Sequence, residues 1–165
     1  MTLVDRSGPE LLGVYLNDHY TGSVTGGELA SRIAEQFKKT PAAPRLRKLA
    51  ADVQEDRVTL VRLMKVLGHD PKAYRAALGW VGEKAGRLKL NGYLVKRSPL
   101  SAVLELETMM LGVQGKAALW RSLRELKDAR LDEAELDNLS RRAEQQIELL
   151  EELRVTAARE VFSAG

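Results

Sequence analysis

The chain has 165 residues, 44% hydrophobic and 30% charged, with a formal net charge of +3 and no cysteine. That length suits one domain with a proper core, and the absence of cysteine removes disulfides, iron–sulfur clusters and thiolate zinc sites. Leucine and alanine outweigh β-branched and aromatic types, which favours helices, and no apolar run approaches the roughly 18 residues of a membrane span. A soluble, cytoplasmic, all-α protein with no membrane association is the expectation.

Ser7, Pro9 and Glu10 form a helix-start signal: a cap residue, a glutamate three positions on and a proline in the first turn. The first long helix is predicted over about 9–39, with a seam through Leu12, Tyr15, His19, Gly22, Gly26, Leu29 and Ile33. Thr40 to Pro44 stops it, because two prolines in four residues remove donors and bias their predecessors away from helical geometry. The stretch from Thr21 to Gly27 could also break this helix in two.

The second helix is predicted over about 45–67, with seam Leu46, Leu49, Val53, Asp56, Leu60, Leu63 and Leu67. Gly68 ends it, and Asp70-Pro71 reads as the start of a short connecting helix over about 71–90, closed by Asn91-Gly92. Ser98-Pro99 opens a third long helix, about 99–127, whose apolar arc places Glu107 and Gln114 inside and Glu105 outside. Asp132 with Glu135 is a capping signature for a last helix, about 132–162, with seam Leu136, Leu139, Ala143, Gln146, Leu150, Leu153, Ala157 and Val161.

Each seam is interrupted by polar groups that should face a shared interior: His19, Asp56 with Arg57, Glu107 with Gln114, and Gln146 with Arg154. Four long helices, with a long connection between the second and third, resemble the ferritin-like superfamily of antiparallel four-helix bundles. That resemblance covers nearly the whole chain and rests on architecture. It implies a bundle interior where iron or manganese would sit between carboxylates and a Glu-x-x-His pair on each of two helices. The chain departs from that motif. Its second helix offers Glu55-Asp56-Arg57-Val58 and its fourth Glu144-Gln145-Gln146-Ile147, so neither glutamate has a histidine three residues on.

The interior groups are therefore expected to pair with one another, Glu107 with Arg154 and Asp56 with Gln114 and Gln146, leaving no resident metal or other cofactor and no catalytic residue. A histidine-poor iron or manganese protein with redox activity is the alternative. Gly22, Gly26 and Ala30 form a small-residue stripe that suggests close helix packing, within the chain or across a homo-oligomer. Between Pro71 and Pro99 seven basic residues face one acid. Lys84, Arg87, Lys89, Lys96 and Arg97, near Trp80 and Tyr93, are a candidate anion-binding group, with nucleic acid a possible partner. The leading expectation is a non-catalytic bundle acting as an interaction or scaffold protein.

Overall fold

The computed structural model describes residues 7–72 and 98–163. These residues form four helices, and no strand occurs among them: α1 (Gly8–Gln36), α2 (Ala43–Val66), α3 (Leu100–Glu125) and α4 (Glu133–Phe162). The protein is an all-α four-helix bundle.

The start of α1 follows its local code, with the Ser7 N–H donating to Glu10 Oε2 at 2.9 Å. The helix is unbroken through residues 21–27, since isolated glycines lower helix propensity without removing a backbone donor. It ends at Gln36, three residues before the expected Lys39, and Thr40 closes the turn by donating its hydroxyl to the Phe37 carbonyl at 2.8 Å. α2 begins at Ala43, two residues earlier than expected. Pro44 lies in its first turn, where a missing N–H leaves no hydrogen bond unmade, so this proline belongs to the start of α2 and not to the stop of α1.

Gly68 terminates α2 with φ +84°; its N–H donates to the Lys65 carbonyl and the His69 N–H to the Met64 carbonyl, at 3.0 and 2.9 Å. This two-bond closure satisfies carbonyls that the last helical turn leaves free. The chain then stays non-helical through Lys72, contrary to a helix start at Pro71. The reason lies on α1, where Asn17 Oδ1 accepts from the Lys72 N–H at 2.7 Å and Asn17 Nδ2 donates to the Gly13 carbonyl at 2.9 Å. The rest of the expected connecting helix, and Lys84, Arg87, Lys89, Lys96 and Arg97, fall outside the described residues. At the start of α4, Asp132 Oδ1 accepts from the N–H groups of Ala134 and Glu135 at 2.9 and 3.4 Å.

α3 packs along α4, α1 along α2, and α1 against α3. α2 and α4 meet instead through long side chains: Arg45 with Glu152, Arg62 with Glu135, and Arg142 with Glu55. The interior comprises two apolar clusters. One gathers Ile33, Leu46, Leu49, Leu106, Val113 and Leu150. The other gathers Leu16, Leu60, Leu63, Met64, Trp120 and Leu136. Each fully buried leucine contributes about 1.5–3 kcal/mol relative to exposure. Among the described residues no helix is long and apolar enough to cross a membrane.

Candidate functional site

Between the two apolar clusters lies a layer of polar side chains. Asp56 is the middle residue of the seven-residue α2 seam and is only 2% exposed. Its Oδ2 accepts from Lys116 Nζ on α3 and its Oδ1 from Arg142 Nη2 on α4. Lys116 also donates to Gln146 Oε1 at 2.6 Å, and Gln146 is itself 4% exposed. Arg142 extends outward, reaching Glu55 Oε2 at 3.1 Å near the surface.

Three helices thus converge on one carboxylate, and the geometry follows from helical spacing. Leu106, Met109, Val113, Lys116, Trp120 and Leu123 repeat at alternating three and four residues, which puts Lys116 on the inner row of α3. Arg142 precedes Gln146 by one turn of α4, so both present to the same place.

Burial pushes the Lys116 ammonium below the usual lysine range; Asp56 opposes this, Arg142 adds to it, and Asp52 opposes it from further along α2. Arg142 moves the other way. Burial is the largest influence and would lower it, but Asp56, Glu55 and Asp52 together raise it. The acids and bases of the layer therefore hold one another. Two buried donors, Arg142 Nε and Gln146 Nε2, find no acceptor among the described residues.

Of the polar residues expected inside, Asp56 and Gln146 are brought together, with Lys116 as the bridge between them. Glu107 and Gln114 are instead exposed. Glu105, expected outside, is only 8% exposed and pairs with Arg32 Nε at 3.2 Å. The apolar arc of α3 is wide enough, with Leu104, Met110 and Leu111 beside the inner row, that hydrophobicity does not fix how the helix is turned. The structure turns it so that Leu111 is 56% exposed and Lys116 faces in.

Glu107 and Arg154 make no buried ion pair, Glu107 being exposed, although its charge adds to the raising of the Arg154 guanidinium. Arg154 instead holds Glu151, one turn earlier on its own helix, through two bonds of 2.7 and 2.8 Å. Those bonds raise the Arg154 guanidinium and draw the Glu151 carboxyl below its usual range. Arg57 is half-buried outside the layer.

His19 stands edge-on to Tyr15, ring centroids 4.6 Å apart, and burial lowers its imidazole against a smaller opposing effect of Asp18. His69, in the turn after α2, lies over α1, with Nδ1 2.8 Å from where a Cβ on Gly13 would stand.

Among the described residues of the chain itself, a Cβ at Gly22 or Gly26 would meet nothing within 4 Å. The close approach occurs one residue on. At Gly27 a Cβ would stand 2.5 Å from Gln54 Nε2 of α2. Ala30 is fully buried as the stripe implied.

Outside the layer, a polar groove of about 800 Å³ runs between α2 and α4, with Glu55, Thr59, Arg62, Glu135, Asn138 and Arg142 among its walls. Arg62 is matched there to Glu135 and Arg142 to Glu55, while Asp132 caps α4. Among the described residues no three side chains of His, Asp or Glu gather in a way that could hold a metal ion.

Of the missed participants, Lys116 and Arg142, one left a trace. Lys116 lies three residues after Val113 and four before Trp120, the spacing of an inner row once α3 is turned as the structure turns it, whereas Arg142 has no such mark. Compared with known proteins, the chain matches no family model, no curated protein and no solved structure.

Proposed function

We propose that this protein is a non-catalytic helical bundle that serves as an interaction or scaffold protein, with a ferritin-like antiparallel arrangement. The single observation that carries this reading is the saturation of Asp56. This carboxylate sits where a bundle enzyme would place a ligand, yet both its oxygens are engaged by cations of the chain itself. A positive ion there would have to displace an ammonium and a guanidinium, each of which would repel it.

The antiparallel arrangement is supported by the cross-helix pairs. Going from Arg45 to Glu55 to Arg62 along α2, the partners run backward along α4 by matching steps, from Glu152 to Arg142 to Glu135. Tyr15 with Ser122 and Arg32 with Glu105 likewise support opposite directions for α1 and α3. With the turn of residues 37–42 reversing α2 relative to α1, α2 and α3 then run the same way. In a four-helix bundle that is the mark of a single long crossover, as in ferritin-like folds. Self-association is part of the reading and is favoured by large apolar side chains on outer faces, Val58, Leu111 and Phe162 among them.

The test is metal analysis of protein produced in medium supplemented with iron and manganese, before and after dialysis against a chelator. The expected result is substoichiometric metal that dialysis removes. One or more equivalents of iron or manganese surviving chelation would overturn the reading in favour of a metalloprotein. Sedimentation velocity on the same sample tests the self-association, which a single species of monomer mass would reject.

A further inference from the structure

The inner rows of α2 and α4 are nearly featureless except at one level. α2 presents Leu46, Leu49, Val53, Asp56, Leu60, Leu63 and Leu67, and α4 presents Leu136, Leu139, Ala143, Gln146, Leu150, Leu153 and Ala157. Each row carries a single polar residue, fourth from its start, and α3 carries Lys116 in the equivalent row. Apolar contact is non-directional, so moving one helix along another by one layer exchanges leucine largely for leucine. The apolar rows therefore discriminate poorly between alignments.

The polar layer does discriminate. In any shifted alignment Asp56 is carried away from Lys116 and Arg142 and faces the apolar residues on either side of them. The carboxylate would then be buried without a partner, which is far costlier than a lost apolar contact. A single polar position in a repeating apolar seam is known to fix alignment and copy number in coiled coils at some cost in stability. Here the three anchors come from both halves of the molecule, Asp56 from the α1–α2 pair and Lys116 and Arg142 from the α3–α4 pair. The same contacts therefore also select which halves come together.

We propose that the Asp56–Lys116–Arg142–Gln146 layer is an alignment key that sets the vertical register of the two helical pairs. It goes beyond the scaffold reading and does not depend on it, since a metal-binding bundle would need the same alignment.

The experiment uses the full chain, whose lack of cysteine allows clean labelling. Spin labels at Ala51→Cys on α2 and Glu144→Cys on α4, both exposed positions, report the alignment as a distance distribution in samples diluted with unlabelled protein. The parent is expected to give one narrow distance. The apolar variant Asp56→Leu/Lys116→Met/Arg142→Leu/Gln146→Leu is expected to stay helical while its distance distribution splits or broadens. Asp56→Lys, which places three cations together, is expected to shift the distance, and adding Lys116→Asp to restore the narrow peak. The proposal is overturned if the apolar variant keeps the parent's single distance, or loses its helical circular dichroism. It is equally overturned if Asp56→Lys leaves the distance unmoved or Lys116→Asp does not restore it.

Discussion

The consequence of Asp56 serving two cations is an asymmetry between substitutions in the same cluster. Asp56→Ala leaves Lys116 and Arg142 facing each other in a buried place, and the loss should be about 3–5 kcal/mol by urea unfolding. Lys116→Met leaves Asp56 still held by Arg142 and should cost less, about 1.5–3 kcal/mol, the contribution of hydrogen bonds to a charged group. Equal costs would mean that the two cations are not alternatives for one carboxylate. Lys116 also predicts the sign of a pH effect. Its folded value lies below its ordinary 10.5, so between the two the unfolded chain holds the proton and the folded chain has released it. Stability contributed through this group therefore rises with pH across that interval. Unfolding curves of the parent and Lys116→Met, collected on a pH series in the alkaline range, should move apart as pH rises, the parent gaining and the variant lacking that gain. Asp128 shows the opposite case: hydrogen bonds from the Arg130 side chain and backbone bring its carboxyl from 3.8 to about 2. The stability it contributes is complete above 3.8 and is lost as pH falls through about 2. Carbon-detected titration should place its midpoint there and move it upward in Arg130→Ala. Exposed Glu107, by contrast, should tolerate alanine within about 0.5 kcal/mol.

For single elements, the caps and glycines make separate predictions. Gly68 adopts φ +84°, which only glycine reaches without strain, so Gly68→Ala should cost about 1–2 kcal/mol. Gly22 and Gly26 sit mid-helix with nothing in front of them among the described residues. Replacing each by alanine should therefore raise stability by about 1 kcal/mol, read as a higher unfolding midpoint. A lower midpoint would place a neighbour against α1 that the described residues do not include. The elements also show what could be read in advance. α2 and α4 have narrow apolar rows flanked by charge, so their buried residues follow from spacing, with Asp56 and Gln146 at the centre. α3 has apolar residues around more than half its circumference, so its orientation depends on what α1 and α4 offer it. Arg32 draws Glu105 inward, and Asp56 draws Lys116. Those partners lie far away in sequence, which is why Glu107 and Gln114 looked equally suited to the interior.

For the whole molecule, the bundle is held by two apolar clusters, and the ion pairs between α2 and α4 contribute little. Arg45–Glu152 and Arg62–Glu135 each include a residue at least half exposed, and such pairs are worth at most about 1 kcal/mol. Raising salt from about 0.1 to 1 M, which shortens screening to roughly 3 Å, should change the unfolding free energy by no more than about 1–2 kcal/mol. A larger loss would show that the outer pairs, and not the clusters, keep the two halves together. The number and type of long helices were legible in the sequence, because a three-and-four pattern over 24 to 30 residues is hard to mistake. The rotation of α3 and the bridging role of Lys116 were not, since they arise only when three helices meet.

A charged stratum between two oily compartments means that the molecule has two interiors, each opening at its own end. Loosening one end, around Trp120 and Leu136, exposes the apolar surface of that compartment alone, because the fixed charges at Asp56 interrupt the continuity of packing. Amide protons of the two compartments should therefore exchange on two separable plateaus rather than one, and Asp56→Ala, which weakens the barrier between them, should bring the plateaus closer together.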